Sequence, residues 1–312
     1  MSSVIVIGSL NMDLVVQAPH LPAAGETISG SDLHFIHGGK GGNQAVAAAR
    51  LGCDVAMIAK VGSDQFGKSL ISALDDAGVD ANGVSIDPQS VTGTAVIVVA
   101  DNGENQIVVS PAANYRLTPT DIEAAEELIA NAKMVALQFE IPQDTIRKAI
   151  EIANKHNVEV LINCAPFTET QPGFYSGVNI LVVNEVEAQA LSGKLIKDVE
   201  SAREASRVIS TNLNVPKVII TLGADGAVAT WDGESIHVPS VSVNAIDTTA
   251  AGDAFIGGLI AARLRGLPLL EVLEFANATG AITTTRLGAQ TSLPTVVEVE
   301  SLLHEYRCNE GK

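Results

Sequence analysis

Apolar positions in this chain fall into short unbroken runs, separated by longer stretches in which they recur every three or four residues. Val4 to Ile7, Val55 to Ala59, Met134 to Leu137, Val158 to Ile162, Ile180 to Val183 and Val218 to Leu222 are too short for helices and apolar at nearly every position. Such runs are the mark of strands covered on both faces. Between them, helical periodicity predicts helices over about 44–50, 63–77, 143–155 and 198–210. The alternation implies βαβ units, hence a doubly wound α/β fold with a mainly parallel sheet flanked by helices.

Two stretches break that rhythm. Residues 14–37 hold Leu14-Val15-Val16, Thr27-Ile28 and His34-Phe35-Ile36 among Pro19, Pro22 and Gly25, which predicts short strands and no helix. Residues 92–110 hold two β-branched runs around Asn102-Gly103, a hairpin signal. Together they predict a small β-sheet lid on one domain spanning 1–312. After Thr248 the pattern turns helical, over about 251–264, 269–285 and 295–306. No internal repeat or long linker interrupts it.

The formal charge of -17 over 312 residues argues against nucleic-acid or anionic-membrane partners, which need a basic stripe. Cys53, Cys164 and Cys308 are odd in number and far apart, so they read as free thiols in a reducing compartment, and zinc is not expected. With no secretory leader pattern and no membrane-length apolar run, the expected location is cytoplasmic.

Candidate chemistry concentrates where strands end. Asp247-Thr248-Thr249-Ala250-Ala251-Gly252-Asp253-Ala254-Phe255 sets small residues at a predicted helix start, where free N–H groups and the helix dipole suit an oxyanion, and Asp253 stands beside them as a base or as an ordinary N-cap. Asn11 and Asp13 follow the first strand, at the edge where α/β proteins bind ligands. Gly38-Gly39-Lys40-Gly41-Gly42-Asn43 reads as a binding loop or a hinge, and its Lys40 can serve a hydroxyl-reading site or hold a phosphate. Asn184 and Glu187 share a helical face after a buried strand, suited to a Mg²⁺-bound water or to a capped helix. Thr221-Leu222-Gly223-Ala224-Asp225-Gly226 is another small-residue loop. Gly62-Ser63-Asp64-Gln65-Phe66-Gly67-Lys68-Ser69 satisfies the P-loop pattern, with Asp101 as a second carboxylate. Phe66, Leu70 and Leu74 nevertheless place a helix start at Ser63 or Asp64, inside the supposed loop, and Asp64 would repel a phosphate. The six histidines form no constellation.

In this order, Asn11-x-Asp13, Gly38 to Gln44, Asn184-x-x-Glu187, Thr221-Leu222-Gly223-x-x-Gly226 and Asp247 to Phe255 resemble the ribokinase branch of the ribokinase-like sugar kinases over essentially the whole chain. The resemblance implies transfer of the ATP γ-phosphate to the 5-hydroxyl of a furanose pentose. It assigns the sugar to Asn11, Asp13, Gly39, Lys40, Asn43 and Glu140, the base to Asp253, and the anion hole to the amides of Ala250, Ala251, Gly252 and Asp253. It assigns Mg-ATP to Asn184, Glu187, Thr221, Gly223, Gly226 and Asn277. It gives a monovalent cation, usually K⁺, to Asp247, Thr249, Thr283, Arg286, Gly288 and Ser292, with many contacts through carbonyls. It also implies a homodimer through the lids. Ile256 where many ribokinases carry Asn, Cys164-Ala165-Pro166 for Pro-Ala-Pro, and Pro111-Ala112-Ala113-Asn114 for Gly-Ala-Asn are departures, which leave deoxyribose or another small sugar as an alternative to ribose. A sugar-binding regulator without turnover is the alternative of another class, disfavoured by the intact Asp253 cradle.

Overall fold

Four consecutive residues without exposed surface, Val4–Ile7, form β1 at the centre of the molecule. The chain, a computed structural model describing residues 3–310, continues through β2 (Asn11–Ala18), β3 (His34–Gly38), α1 (Lys40–Arg50), β4 (Val55–Gly62), α2 (Gln65–Asp76) and β5 (Val79–Asp87). The hairpin β6 (Gly93–Ala100) and β7 (Asn105–Ser110) precedes α3 (Pro119–Ala124), α4 (Glu126–Ala130), β8 (Met134–Gln138) and α5 (Gln143–Lys155). Then come β9 (Glu159–Asn163), β10 (Ile180–Asn184), α6 (Glu185–Ser192), α7 (Val199–Leu213), β11 (Lys217–Thr221), β12 (Ala227–Trp231) and β13 (Glu234–Val238). Helices α8 (Ala251–Leu264), α9 (Leu269–Thr284) and α10 (Val296–Glu310) close the described chain.

The main sheet has nine strands in the order β13-β12-β11-β10-β9-β8-β1-β4-β5, parallel from β5 to β11 and antiparallel in its last two pairs. Alternation along β1 divides the core: Val4 and Val6 pack with α1, α2, α8, α9 and α10, whereas Ile5 and Ile7 pack with α3 to α7. Because β4 lies on one side of β1 and β8 on the other, the winding reverses there, and a crevice opens beyond the C-terminal ends of these strands. Small residues bring α8 close to its neighbours: a Cβ on Gly257 would stand 2.4 Å from Ala47 Cβ in α1, and one on Gly258 2.6 Å from Thr279 Oγ1 in α9. That contact sets the start of α8 against the start of α1.

The lid sheet is β3-β2-β6-β7, with a parallel β2–β6 pair between two antiparallel ones. The expected Thr27-Ile28 strand is absent, since 19–33 carries prolines and a glycine in an irregular path, and β2 starts earlier than expected, at Asn11. The glycine run is not a loop either: Lys40 to Asn43 are the first turn of α1. Strands β5, β12 and β13 and the short helices α3 and α4 have no counterpart in the sequence reading, because polar residues interrupt them or they span barely a turn. Among the described residues no helix is long and apolar enough to cross a membrane, and Cys53, Cys164 and Cys308 are free thiols.

Candidate active site

Asp253 lies in the first turn of α8 with 6% of its surface exposed. Its Oδ2 accepts from Asn43 Nδ2 at 2.9 Å and its Oδ1 from Gln44 Nε2 at 3.0 Å, both from α1. Ala250, just before the helix, adopts a left-handed conformation (φ 59°), which costs energy for any residue with a Cβ and recurs at functional turns. Ala251 N–H donates to Thr248 O at 3.2 Å, so one of the four amides expected in the anion hole is already engaged. The N–H groups of Gly252 and Asp253 have no backbone acceptor among the described residues and remain available to an oxyanion.

The start of α1 is different. Its Lys40, Gly41 and Gly42 N–H groups are taken by Glu140 Oε2 (3.0 Å), Ser9 Oγ (3.3 Å) and Ser9 O (2.9 Å). This helix start therefore holds no phosphate through its amides and instead fixes the wall of a polar site. Gly39 enters it at φ 85°, and a Cβ there would approach Asn11 N and Ser9 O within 3 Å, so only glycine fits. Glu140 Oε2 also accepts a short hydrogen bond from Ser9 Oγ. Asn11 Oδ1 accepts from Asn114 Nδ2 at 2.7 Å, and Asn114 ties back to Leu10 through both ends of its amide. Gly38 carries no side chain where the Asp13 carboxylate stands, 2.3 Å from the position of a Cβ.

Four carboxylates share this space. Burial first, then Glu140 and Asp253, push Asp13 up to about 7. Lys40 is the cation that answers them: Asp253 foremost, with Glu140 and Glu187, holds its ammonium above the ordinary range against burial. Burial raises Glu187, opposed by the Asn184 N–H bond and by Lys40. Buried Asn43 Oδ1 has no partner among the described residues, leaving an acceptor ready for a hydroxyl.

On the other side of α8 lies a cavity of about 400 Å³. Of the residues expected at the nucleotide, Thr221, Gly223, Gly226 and Asn277 line it, with Ala251 and Gly252 at the end nearest Asp253. Asn277 Nδ2 also ties down the backbone of Val238 and Pro239 (2.9 and 3.2 Å). Its walls include Val241 and Val243 from a segment without regular structure, which no periodicity marks. Asn184 and Glu187 do not line it. They cap α6 reciprocally, Asn184 Oδ1 accepting from Glu187 N and Glu187 Oε2 from Asn184 N, both at 2.9 Å.

The expected cation residues converge in part. Asp247 Oδ1 accepts from Thr249 N and Oγ1, and its Oδ2 from Gly288 N at 2.9 Å, which joins the approach to α8 to the turn after α9. Thr283 and Ser292 turn their hydroxyls onto nearby carbonyls, and Arg286 pairs with Glu298. The P-loop pattern falls: α2 begins at Gln65, Asp64 caps it by accepting from Gly67 N, and Gly62 and Gly67 are small because they pack against Thr92 and each other. Asp101 sits in the β6–β7 turn. Ser9, Gln44, Asn114, Gln138 and Asn163 are polar residues of the site to which the sequence reading gave no role there. Gln44 stood inside a recognised motif, but as one amide in a helical run.

A carboxylate fixed at an open helix start, between a cluster of buried polar side chains and a largely apolar cavity, is the arrangement of a phosphotransferase acting on a small hydroxylated substrate. The profile of the pfkB family carbohydrate kinases matches residues 1–296, and the chain belongs to that family. It is 39% identical over 298 residues to ribokinase of Haemophilus influenzae, covering 96% of this chain and 97% of that one. It is 35% identical over 300 residues to deoxyribokinase of Salmonella typhi, with 96% and 97% covered. The solved ribokinase of Arabidopsis thaliana complexed with ribose and ATP superposes with a TM-score of 0.89 at 30% identity, covering 97% of this chain and 98% of that one.

Proposed function

We propose that this carbohydrate kinase transfers the γ-phosphate of Mg-ATP to the 5-hydroxyl of ribose. The observation that carries the reading is Asp253, held by Asn43 and Gln44 at the mouth of the α8 cradle. The sugar lies against Asn11, Asp13, Gly39, Lys40, Asn43 and Glu140. Asp253 orients its hydroxyl and takes the proton as the bond to phosphorus forms. The Gly252 and Asp253 amides face the charge that spreads over the transferring oxygens, where preorganised donors contribute most. The cavity between Thr221 and Asn277 takes the nucleotide, and Asn184, which pairs in register with the cavity residue Thr221, would with Glu187 hold the water around its Mg²⁺ from outside the cavity lining, through the carboxylate and amide atoms that the α6 cap leaves over.

The oxygen-rich setting of Asp247, Thr249, Thr283, Arg286, Gly288 and Ser292 fits K⁺, a hard cation. It would supply a fixed positive charge behind the cradle. A cytoplasmic enzyme fits the free thiols. The lid sheet, which completes a single domain over 1–312, leaves Val96, Ile107, Val108 and Val109 exposed at and beside the unpaired edge of β7, with Phe35 exposed on β3 at the opposite edge, a surface suited to a second copy of the chain. Sedimentation as a monomer at all concentrations would remove the dimer.

Deoxyribose is the second reading, favoured by the 35% identity to a deoxyribokinase. Ile256, the departure that raised it, is 1% exposed in the core between α8 and its neighbours. ADP release with ribose, deoxyribose, fructose and adenosine decides substrate and activity together. Asp253→Asn lowers kcat by about three orders of magnitude with little change in ATP affinity; near-normal turnover would sink the assignment of the base.

A further inference from the structure

Behind Asp253 runs a line of side-chain amides that no step of phosphoryl transfer uses. Gln44 Nε2 donates to Asp253 Oδ1 at 3.0 Å and to Asn163 Oδ1 at 3.1 Å. Gln138 Nε2 donates to Gln44 Oε1 at 2.7 Å. Gln44 and Gln138 have no exposed surface, and Gln138 Oε1 has no partner among the described residues.

The direction of this line follows from charge. An ionised carboxylate only accepts, so Gln44 must present its NH₂ to Asp253, and its carbonyl oxygen then faces Gln138. Gln138 must in turn present its own NH₂, which leaves Gln138 Oε1 unpaired against the Cα of Gly8, where a Cβ would stand 1.9 Å away. Asn163 is oriented by its donation to Val182 O at 3.3 Å, which aims its Oδ1 at Gln44. Reversing Gln44 would set its oxygen against Asp253, against Asn163 Oδ1, and its NH₂ against the NH₂ of Gln138. A buried acceptor left without a partner destabilises the fold, and the arrangement retains that cost at Gln138 Oε1 while keeping the donor aimed at Asp253.

We propose that Gln44, locked in one orientation by Gln138 and Asn163, is the positioning residue of Asp253: it fixes the Oδ1 side of the carboxylate and so the direction in which the base meets the substrate hydroxyl. The inference rests on Asp253 being the base. Lys40 and Asp13 also act on Asp253 through their charges, and the variants below leave both in place.

The test compares Gln138→Met, Gln44→Leu, Gln44→Glu and the double variant Gln44→Leu/Gln138→Met, with Asp253→Asn as control, reading kcat separately from KM for ribose and for Mg-ATP. Gln138→Met, which touches neither substrate nor Asp253, is expected to lower kcat roughly tenfold by loosening the base. Both KM values stay within about twofold, so the loss falls on kcat alone, as expected for a contact that matters only when the base meets the reacting hydroxyl. Gln44→Leu shows the same signature more strongly, and the double variant is no worse than Gln44→Leu alone, since one line is broken in either case. Gln44→Glu keeps the side-chain shape and carries the test should Gln44→Leu fail to fold. Wild-type kcat in Gln138→Met and Gln44→Glu would overturn the proposal, as would losses confined to KM. If Asp253→Asn is inactive while those variants are normal, only the positioning role fails. If Asp253→Asn is active, the reading of Asp253 fails instead.

Discussion

Asp13 makes the folded enzyme sensitive to pH in a direction opposite to that of its hydrogen-bonded and ion-paired carboxylates, and replacing it by Asn should expose this. Asp64, Asp121, Glu159, Asp247 and Glu298 are all held below their ordinary range by hydrogen bonds and ion pairs, so they favour the fold above pH 4. Asp13 is raised from 3.8 to about 7, by burial first and then by Glu140 and Asp253. Below pH 4 it is protonated in both folded and unfolded chains and costs nothing. Between pH 4 and 7 only the unfolded chain releases its proton, so its contribution to stability declines, and above pH 7 the loss is complete. At 1.36 kcal/mol for each tenfold change, that loss is about 4 kcal/mol as an upper bound. Asp13→Asn, which cannot ionise, should therefore be more stable than the wild type at pH 8, by up to about 10 °C in Tm, with the difference vanishing near pH 4. The sugar sees the other side of the same titration. With a midpoint near 7, ribose that requires the carboxylate binds about tenfold more weakly at pH 6 than at pH 8, and the variant binds weakly at both. Thermal unfolding across this range, with ribose titrations at its ends, measures both effects. A stability difference independent of pH would refute the electrostatic reasoning.

Two further outcomes follow from the site. Lys68→Ala should leave turnover within a few-fold, because Lys68 lies in α2 and the Gly62–Ser69 segment is a capped helix start; loss of ATP binding would restore the P-loop. Replacing K⁺ by a large organic cation at constant Mg²⁺ and ionic strength should depress activity, and equal rates in both salts would discard the cation role of the Asp247 segment.

The parts of this molecule legible in its sequence are those where one physical requirement dominates. Fully buried strands such as β1 and β10 show as unbroken apolar runs, and α8 begins and ends where its small residues predict. Strand β5 escaped because Asp80, Asn82 and Gly83 interrupt an edge that pairs on one side only. Asp253 and the residues around it were legible as ordered motifs. Gln44, Gln138, Asn114 and Ser9 were not, because their roles come from partners 94 to 209 residues away in sequence, as in Gln138 with Gln44, Ser9 with Glu140 and Gln44 with Asp253. Asn184 and Glu187 show the converse: the spacing that suggests a metal-bound water is also the spacing of a capping box, and the side chains make that box. The two small-residue helix starts looked alike as strings. They differ only in whether folding brings acceptors to their amides, as Ser9 and Glu140 do at α1.

Between the end of β3 and the start of α1 stands a single residue, Gly39, and the fourth and fifth residues of α1 are the Asn43 and Gln44 that grip Asp253. Lid strand and base are thus joined by one stiff arm with no slack. For anyone building chimaeras, residues 34–44 form an indivisible cassette: a lid from a relative grafted at Gly39 imports a new lever angle into a foreign helix, whereas a splice beyond Gln44 carries strand, pivot and grip together.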